Sequence, residues 1–405
     1  MHILFISWWW PYPANNGSKI RIYNLLRQLS QQYQITLLSF AEPDEATPDQ
    51  LAHMLSFCNR VEVVPKPTYK SSTLKATLGY LSRWPRSLVD VYSEDMASLV
   101  KQVCADGDIQ VVIASQLQTM RYLELVSHIA GILEEIEITQ FLNQVQEATG
   151  QARRLRAQMT LSKSENSLRQ LLQRGIAFTV VSEAEKQNML RFAPPRSDIR
   201  VVPNGVDTIT NKPDASIVSE PYRIIYTGAV SYQPNYEAVR YFIQEILPLV
   251  RAKTPQATFF VTGGTGTIDV SDLATQAGVT FTGYLPSVAD AVRESTVMVV
   301  PLQAGGGTRL KILEAMALGT PIISTSKGAE GIDVHPERDI LIADSPQQMA
   351  DAIQRLFSDA ALRTRLAHAG RTLVEQTYDW GIIAQQLNTL IHDISPSDIL
   401  VKENL

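Results

Sequence analysis

Apolar and polar positions alternate in blocks along most of this 405-residue chain. Short apolar runs bounded by polar residues, at 2–7, 35–40, 110–114 and 177–181, predict buried strands. Between the first two lies a Pro/Asn/Gly-rich loop over 11–18, then a helical pattern over 19–32. The pattern then restarts. Residues 222–227 predict a strand, Gly228 begins a turn, and 234–251 predict a helix with Pro234 near its start. Further strands are expected at 258–262, 279–281, 297–300, 321–324 and 339–342. Such alternation predicts an α/β fold with parallel sheets covered by helices, and the restart predicts two Rossmann-like halves. The connection falls at Val202-Pro203-Asn204-Gly205-Val206-Asp207, where Pro and Asn-Gly are turn formers. A ligand cleft is expected between the halves, at the carboxyl ends of the strands.

The most informative single stretch is Gly305-Gly306-Gly307-Thr308-Arg309-Leu310-Lys311-Ile312-Leu313-Glu314-Ala315-Met316-Ala317. It joins the 297–300 strand to a helix. A Gly-rich turn entering a helix lets backbone N–H groups approach an anion, and the helix N-terminus favours negative charge. Arg309 and Lys311 add two cations that gain nothing from each other and would be stabilised by an anion. Glu314 is placed to accept hydrogen bonds from sugar hydroxyls. The combination points to a phosphorylated sugar or a nucleotide.

Bulk properties narrow the picture. The chain is 45% apolar and 19% charged, enough for large cores, and its net charge of −5 gives no reason to expect a nucleic-acid partner. Two cysteines, Cys58 and Cys104, make no disulfide framework and no cysteine-based zinc site, and they fit a reducing compartment. No apolar run reaches the ~18 residues of a membrane span, and the first seven residues read as a strand, so a cytoplasmic location is expected. Charge is nevertheless skewed. Residues 66–86 hold Lys66, Lys70, Lys75, Arg83 and Arg86 with no acid, interleaved with aromatic and leucine side chains. Residues 151–174 hold six basic residues against Glu165. Such segments either form a solvated helix face or lie on an anionic membrane surface from the cytoplasmic side.

Other motifs exclude chemistry. Gly228-Ala229-Val230-Ser231 and Gly263-Gly264-Thr265-Gly266-Thr267 are not the dinucleotide fingerprint, so a dehydrogenase is disfavoured. The histidines show no zinc spacing, and Asp106-Gly107-Asp108 reads more simply as a turn than as a metal motif. Glu134, Glu135 and Glu137 read as a solvated acidic loop sooner than as a metal or base site. Trp8, Trp9 and Trp10 either line an acceptor pocket or pack under the 11–18 loop, and Arg21 follows one turn beyond Gly17.

Four segments together resemble the retaining GT-B glycosyltransferases of family GT4. They are the opening 3–21, the hinge-like 202–207, Phe281-Thr282-Gly283-Tyr284, and the Gly305–Ala317 stretch, in a variant with a GGGTRLK-type loop. Tyr378-Asp379-Trp380 resembles the start of the family's terminal helix, which crosses back to the first domain. The resemblance implies an acceptor-side domain over 1–207, completed by about 380–405, and a donor-binding domain over 208–379. It implies transfer of a sugar from a nucleoside diphosphate sugar to an acceptor hydroxyl in glycan or lipid biosynthesis, with no cofactor and no required metal. Glu314 then matches the carboxylate that holds the ribose hydroxyls. Gly17 matches a glycine near the donor phosphates, and Gly283 and Tyr284 match the segment that meets the base. Gly228, Gly306, Gly307 and Thr308 join them on the donor side, Arg309 and Lys311 stabilise the leaving diphosphate, and Trp10 and Arg21 fall on the acceptor side.

Three positions depart from the family pattern. Gly306 stands where a Glu usually meets the donor sugar. Ala229 stands where a cation usually follows the strand, and Ser115-Gln116 stand where a His often does. Two other readings stay open: a nucleotide-sugar 2-epimerase of similar fold, and a non-catalytic nucleotide-sugar binder. The sequence names no acceptor. The basic segments make a lipid-linked one at a membrane surface one candidate.

Overall fold

The computed structural model describes residues 1–305 and 307–395. The chain divides into two compact units, Met1–Pro203 with Ile383–Leu405, and Asn204–Ile382. Each has its own apolar core.

The first unit is built on seven parallel strands: β1 (His2–Ser7), β2 (Gln34–Ala41), β3 (Arg60–Pro65), β4 (Val111–Ser115), β5 (Ala130–Ile136), β6 (Ala177–Val180) and β7 (Ile199–Val201), in the order β3-β2-β1-β4-β5-β6-β7. The central strands β1 and β4 are buried on both faces, which is why they read as unbroken apolar runs. Helix α1 (Gly17–Leu29) follows β1 and is capped by Asn16, whose side chain accepts from the Lys19 N–H. Further along the unit are a short helix α2 (Leu74–Leu78) and the long helix α3 (Gln151–Gln173).

The second unit repeats the plan with six parallel strands: β8 (Glu220–Thr227), β9 (Thr258–Thr262), β10 (Val279–Gly283), β11 (Ser295–Val300), β12 (Ile322–Ser324) and β13 (Leu341–Ile342), in the order β10-β9-β8-β11-β12-β13. The helix expected over 234–251 is interrupted. Helix α4 (Gln233–Tyr241) passes into a π-helical turn, Phe242–Ile246, before the chain resumes as Leu247–Lys253. Pro248 lacks the N–H that a continuous helix would use, and the wider turn accommodates it. Helix α5 (Leu310–Leu318) follows β11 and ends at Gly319, whose φ of 77° suits glycine.

The chain passes between the units twice, and these two segments pair within the second unit. Val206 donates its N–H to Tyr378 O (2.8 Å), and Asp379 accepts from the Thr208 hydroxyl (2.6 Å) and from the Gly381 N–H. Gly205 packs directly on the Trp380 indole, where a β-carbon would lie 2.9 Å from the ring. Helix α6 (Trp380–Ile394) then returns to the first unit, where Asn388 and His392 meet Tyr33, and Asp393 pairs with Arg200 at 2.8 Å.

Candidate functional site at the carboxyl edge of the second sheet

In the second sheet, the chain adds strands to one side of β8 and then crosses to place β11 on the other. The loops after β8 and β11 therefore flank a topological switch point, the position at which open α/β sheets bind ligands. Gly228 leads the first loop, and the Gly-rich stretch is the second.

These loops meet through Lys311. Its ammonium lies 3.2 Å from Asn235 Oδ1 and 3.9 Å above the centre of the Tyr226 ring. Asn235 is held in turn: it accepts from the Tyr226 hydroxyl (2.6 Å) and donates to Ala229 O (2.8 Å). Gly228 has φ 131°, and a β-carbon there would fall 2.8 Å from Lys311 Nζ. The loop after β9 closes against the same place, since Gly263 abuts the Gly228 carbonyl and the Val230 N–H donates to Gly264 O (2.9 Å).

Arg309 occupies the position just before α5, and its guanidinium lies close beneath Gly305, which has φ 102°. Gly307 also takes a positive φ, 78°. The Thr308 hydroxyl is buried with no hydrogen-bond partner among the described residues. Gly306 lies outside the described residues. One turn into α5, Glu314 joins Lys311 on the wall of a cavity of about 150 Å³, which Asn211, Thr227 and Val288 also line.

The electrostatics follow from burial. Lys311 is brought down to about 7, first by desolvation and then by Arg309, with Glu314 opposing. Burial likewise raises Glu314, opposed by Lys311. A half-buried cation with a depressed pKa, a second cation and a helix N-terminus share one loop. An anion supplied there would restore the charge of Lys311.

Gly283 and Tyr284 stand at the end of β10. Gly283 has φ 64° with open space around it, and Tyr284 is 89% exposed with its hydroxyl near Gly264. Gly17 begins α1 in the first unit, exposed to solvent.

Two expectations for the first unit are corrected. Trp10 is fully buried, with its indole N–H donating to Gln50 Oε1 (2.9 Å), so it is a core residue and not an acceptor contact. Arg21 is also fully buried. It donates to Glu134 (2.7 Å) and to the carbonyls of Val202 (2.8 Å) and Pro203 (2.9 Å), so its role is internal. Glu134 is not a solvated loop residue either. It lies on β5, buried, bound by Arg21 and by the Ser115 hydroxyl (3.1 Å). No group of three or more metal-ligating side chains forms among the described residues.

Beside this pair, residues that the sequence offered separately, Gln116, Glu135, Glu137 and Trp9, come together in one cluster. Gln116 donates to Ser18 Oγ (2.9 Å) and to Glu135 Oε2 (2.8 Å). With Trp9, Glu137 and Gln140 these residues line a cavity of about 220 Å³ at the switch point of the first sheet, beyond β1 and β4. Burial and the neighbouring Glu134 push the Glu135 carboxyl well above the usual range. Gln116 and Glu135 take positive φ, 71° and 59°, a strained conformation for residues with a β-carbon.

Asn235 and Tyr226 were also missed. The available signal was Pro234-Asn235 at the start of the helix that follows the Gly228 turn.

Comparison with known proteins bears on the fold and its relatives. Residues 221–359 match the family model described as glycosyl transferases group 1. The Bacillus subtilis protein YtcC is 28% identical over 53% of this chain and 60% of its own length, so the match spans less than two thirds of that relative. Sucrose-phosphate synthase from Thermosynechococcus elongatus superposes with a TM-score of 0.70 at 18% identity, covering 97% of this chain and 99% of that one. Anabaena HepE, solved with UDP, superposes at 0.68 and 15% identity, covering 97% and 100%. The chain is thus related to the group 1 glycosyltransferases and has their GT-B fold of two Rossmann-like domains.

Proposed function

We propose that the protein is a retaining glycosyltransferase that moves a sugar from a nucleoside diphosphate sugar to an acceptor hydroxyl. The observation that carries this reading is the meeting of Lys311, Gly228 and Asn235 at the switch point of the second sheet, with Arg309 and the start of α5 beside them. As the glycosidic bond breaks, the bonding electrons leave with the diphosphate, and negative charge grows on its oxygen. Fixed cations and N–H groups aimed at that oxygen stabilise the transition state more than the ground state. Lys311 and Arg309 fill this role, each contributing roughly 3–4 kcal/mol by comparison with removal of one oxyanion donor. Their charge also does what a divalent cation would otherwise do, so the reaction needs no separate metal.

Glu314 accepts the ribose hydroxyls, and the Gly283–Tyr284 turn meets the base. The Gly307–Thr308 backbone donates to the phosphates. The Gly-rich loop carries no closely spaced carboxylate pair of the kind a double displacement uses. Retention is therefore assigned to attack by the acceptor from the face the leaving group departs. The relative solved with UDP supports a nucleotide in the site.

The test is a screen of nucleoside diphosphates and their sugars for thermal stabilisation, followed by hydrolysis and transfer assays on the best donor. Proton NMR of the first-formed product then reads its anomeric configuration. An inverted product would overturn retention. Conversion of the donor to its 2-epimer without acceptor would replace transfer by isomerisation. Stabilisation with no turnover across acceptors would leave a binding protein.

A further inference from the structure

The amino edge of the second sheet, at the other end of the strands from the donor loops, holds a cavity of about 430 Å³. Its floor is Ser219 before β8, Ser295 and Thr296 of β11, and Thr320 and Pro321 before β12, the amino ends of three neighbouring strands. Residues 213–219, which belong to no helix or strand, give one wall. The helix Ala360–Leu373 gives another, and Leu318 and Gly319 at the end of α5 complete the lining.

The floor offers little to a polar ligand, because its hydroxyls are already used. Ser295 donates to Ala291 O (2.8 Å), Thr296 to Glu220 O (2.7 Å) and Thr320 to Val292 O (3.0 Å). Pro213, Ile217, Leu318, Pro321 and Ala367 supply apolar surface. The chain entering the first wall is tied down. Arg371 donates to the carbonyls of Thr208 (2.8 Å) and Asn211 (2.5 Å), and Arg293 donates to Lys212 O (2.9 Å). Pro213 then packs on Gly319, where a β-carbon would lie 3.0 Å from the proline ring. A held cleft of this volume, largely apolar with a few polar groups, is the form that small-molecule sites take.

Most of the charge in the lining is spent within the protein. Arg371 pairs with Glu375 (2.6 Å) and Arg293 with Asp290 (2.6 Å). The acidic lining residue, Asp214, accepts from the Ser216 N–H (2.9 Å) and hydroxyl (2.6 Å). Arg363 differs. Its Nη1 donates to Leu356 O and Phe357 O, which leaves Nε and Nη2 without a partner among the described residues, and no acid there pairs with it. Arg363, Ala367 and Arg371 recur at four-residue spacing and so share one helix face, and His368 lines the same cavity.

We infer that this cavity is a second ligand site, which takes a small organic anion and is coupled to the donor site through α5. The apolar body of the ligand fills the cleft, and its single acidic group meets the free donors of Arg363. The coupling has a physical route. Helix α5 runs from Lys311 and Glu314 at the donor side to Leu318, and Leu318 lines both cavities. Arg371, in the wall, holds the carbonyl of Asn211, which lines the cavity beside Lys311. The coupling rests on the reading of α5 as the donor helix, whereas the binding itself does not.

The test is a fluorescence titration of the full chain with anilinonaphthalenesulfonate, an aromatic body carrying one sulfonate. Saturable binding to one site is expected, displaced by octanoate and about tenfold less well by octanol, which lacks the charge that Arg363 would hydrogen-bond. Arg363→Met should weaken the probe about tenfold for the same reason. Ala367→Trp, which fills the cleft and leaves the contacts of Arg363 with Leu356 and Phe357 in place, should abolish binding, and thermal melting certifies that both variants fold. Saturating octanoate should shift the affinity for a nucleoside diphosphate about fivefold or more, the ordinary scale of coupling between sites. Full binding by Ala367→Trp, equal displacement by octanol, or complete displacement of the probe by a nucleoside diphosphate would each overturn the site. An unchanged nucleoside diphosphate affinity would overturn the coupling. The probe titration needs no nucleotide, so a failure of the sugar-transfer reading would leave its result intact.

Discussion

The Lys311 ammonium rests against Gly228, 2.8 Å from the point a β-carbon would occupy. The residue that opens the loop after β8 and the cation supplied from the loop after β11 are therefore fitted to each other. Gly228→Ala would push the ammonium off Asn235 and force a residue with a β-carbon to hold φ 131°. Such strain costs about 1–3 kcal/mol. We expect a lower melting temperature together with weaker nucleoside diphosphate binding by calorimetry. Unchanged affinity would sever Gly228 from the site.

Arg309→Ala and Lys311→Met should each lower kcat by about 10²–10³ with the chosen donor, the scale of losing one oxyanion donor. Lys311→Met also removes a half-buried cation whose charged form the fold disfavours, so its melting temperature should be equal or higher. A loss of activity that tracked a loss of fold in Lys311→Met would count against the assignment.

The depressed pKa of Lys311 sets a pH dependence. Below about pH 7 the cation is already present in the free protein. Above it, binding a diphosphate must take up a proton. Affinity for the nucleoside diphosphate should thus fall as pH rises from 7 to 9, by at most about tenfold per pH unit. Titration calorimetry in buffers of different ionisation enthalpy reads the proton uptake directly, and Lys311→Met should abolish it.

Arg21 and Glu134 form a buried pair with carbonyl partners at Val202 and Pro203. Arg21→Met leaves the carboxylate buried without its cation and should cost about 3–5 kcal/mol in denaturant unfolding. Adding Glu134→Leu should recover much of that loss. Additive effects in the double variant would show that the two do not act as a pair.

Glu135 makes the opposite pH demand. Its folded-state pKa is raised, so the folded chain holds a proton that the unfolded chain has released. Between the two values stability falls as pH rises. Glu135→Gln should therefore gain stability over wild type at alkaline pH and differ little at acid pH. Parallel stability curves for the two proteins would contradict the assignment.

The local pattern of the sequence was enough to show two Rossmann-like halves, because strands buried on both faces are written as unbroken apolar runs. β3, β5 and the three-residue β7 were the exceptions in the first sheet. Glu134 and Glu135 at the end of β5 broke its run, and the edge strand β3 lacked one. The Gly305–Ala317 stretch suggested an anion cradle for a similar reason. Glycines with positive φ, cations and a helix start are neighbours along the chain, so their chemistry shows in one dimension.

What tertiary structure alone decided is which distant side chains share a space. Trp10 and Arg21 carry the same local signals whether they face a ligand or a core, and only the folded partners settle that they are buried: Gln50 for Trp10, Glu134 of β5 and the Val202 and Pro203 carbonyls for Arg21. Asn235 and Tyr226 acquire their positions through β8 and α4, which bring them under a lysine 76 residues beyond Asn235. The exposed leucines of α2 look like core residues in sequence. They face outward because Ala76, Trp84 and Arg86 already occupy the inner side. Burial is a property of the whole fold, and the sequence states only what each residue would gain or lose by it.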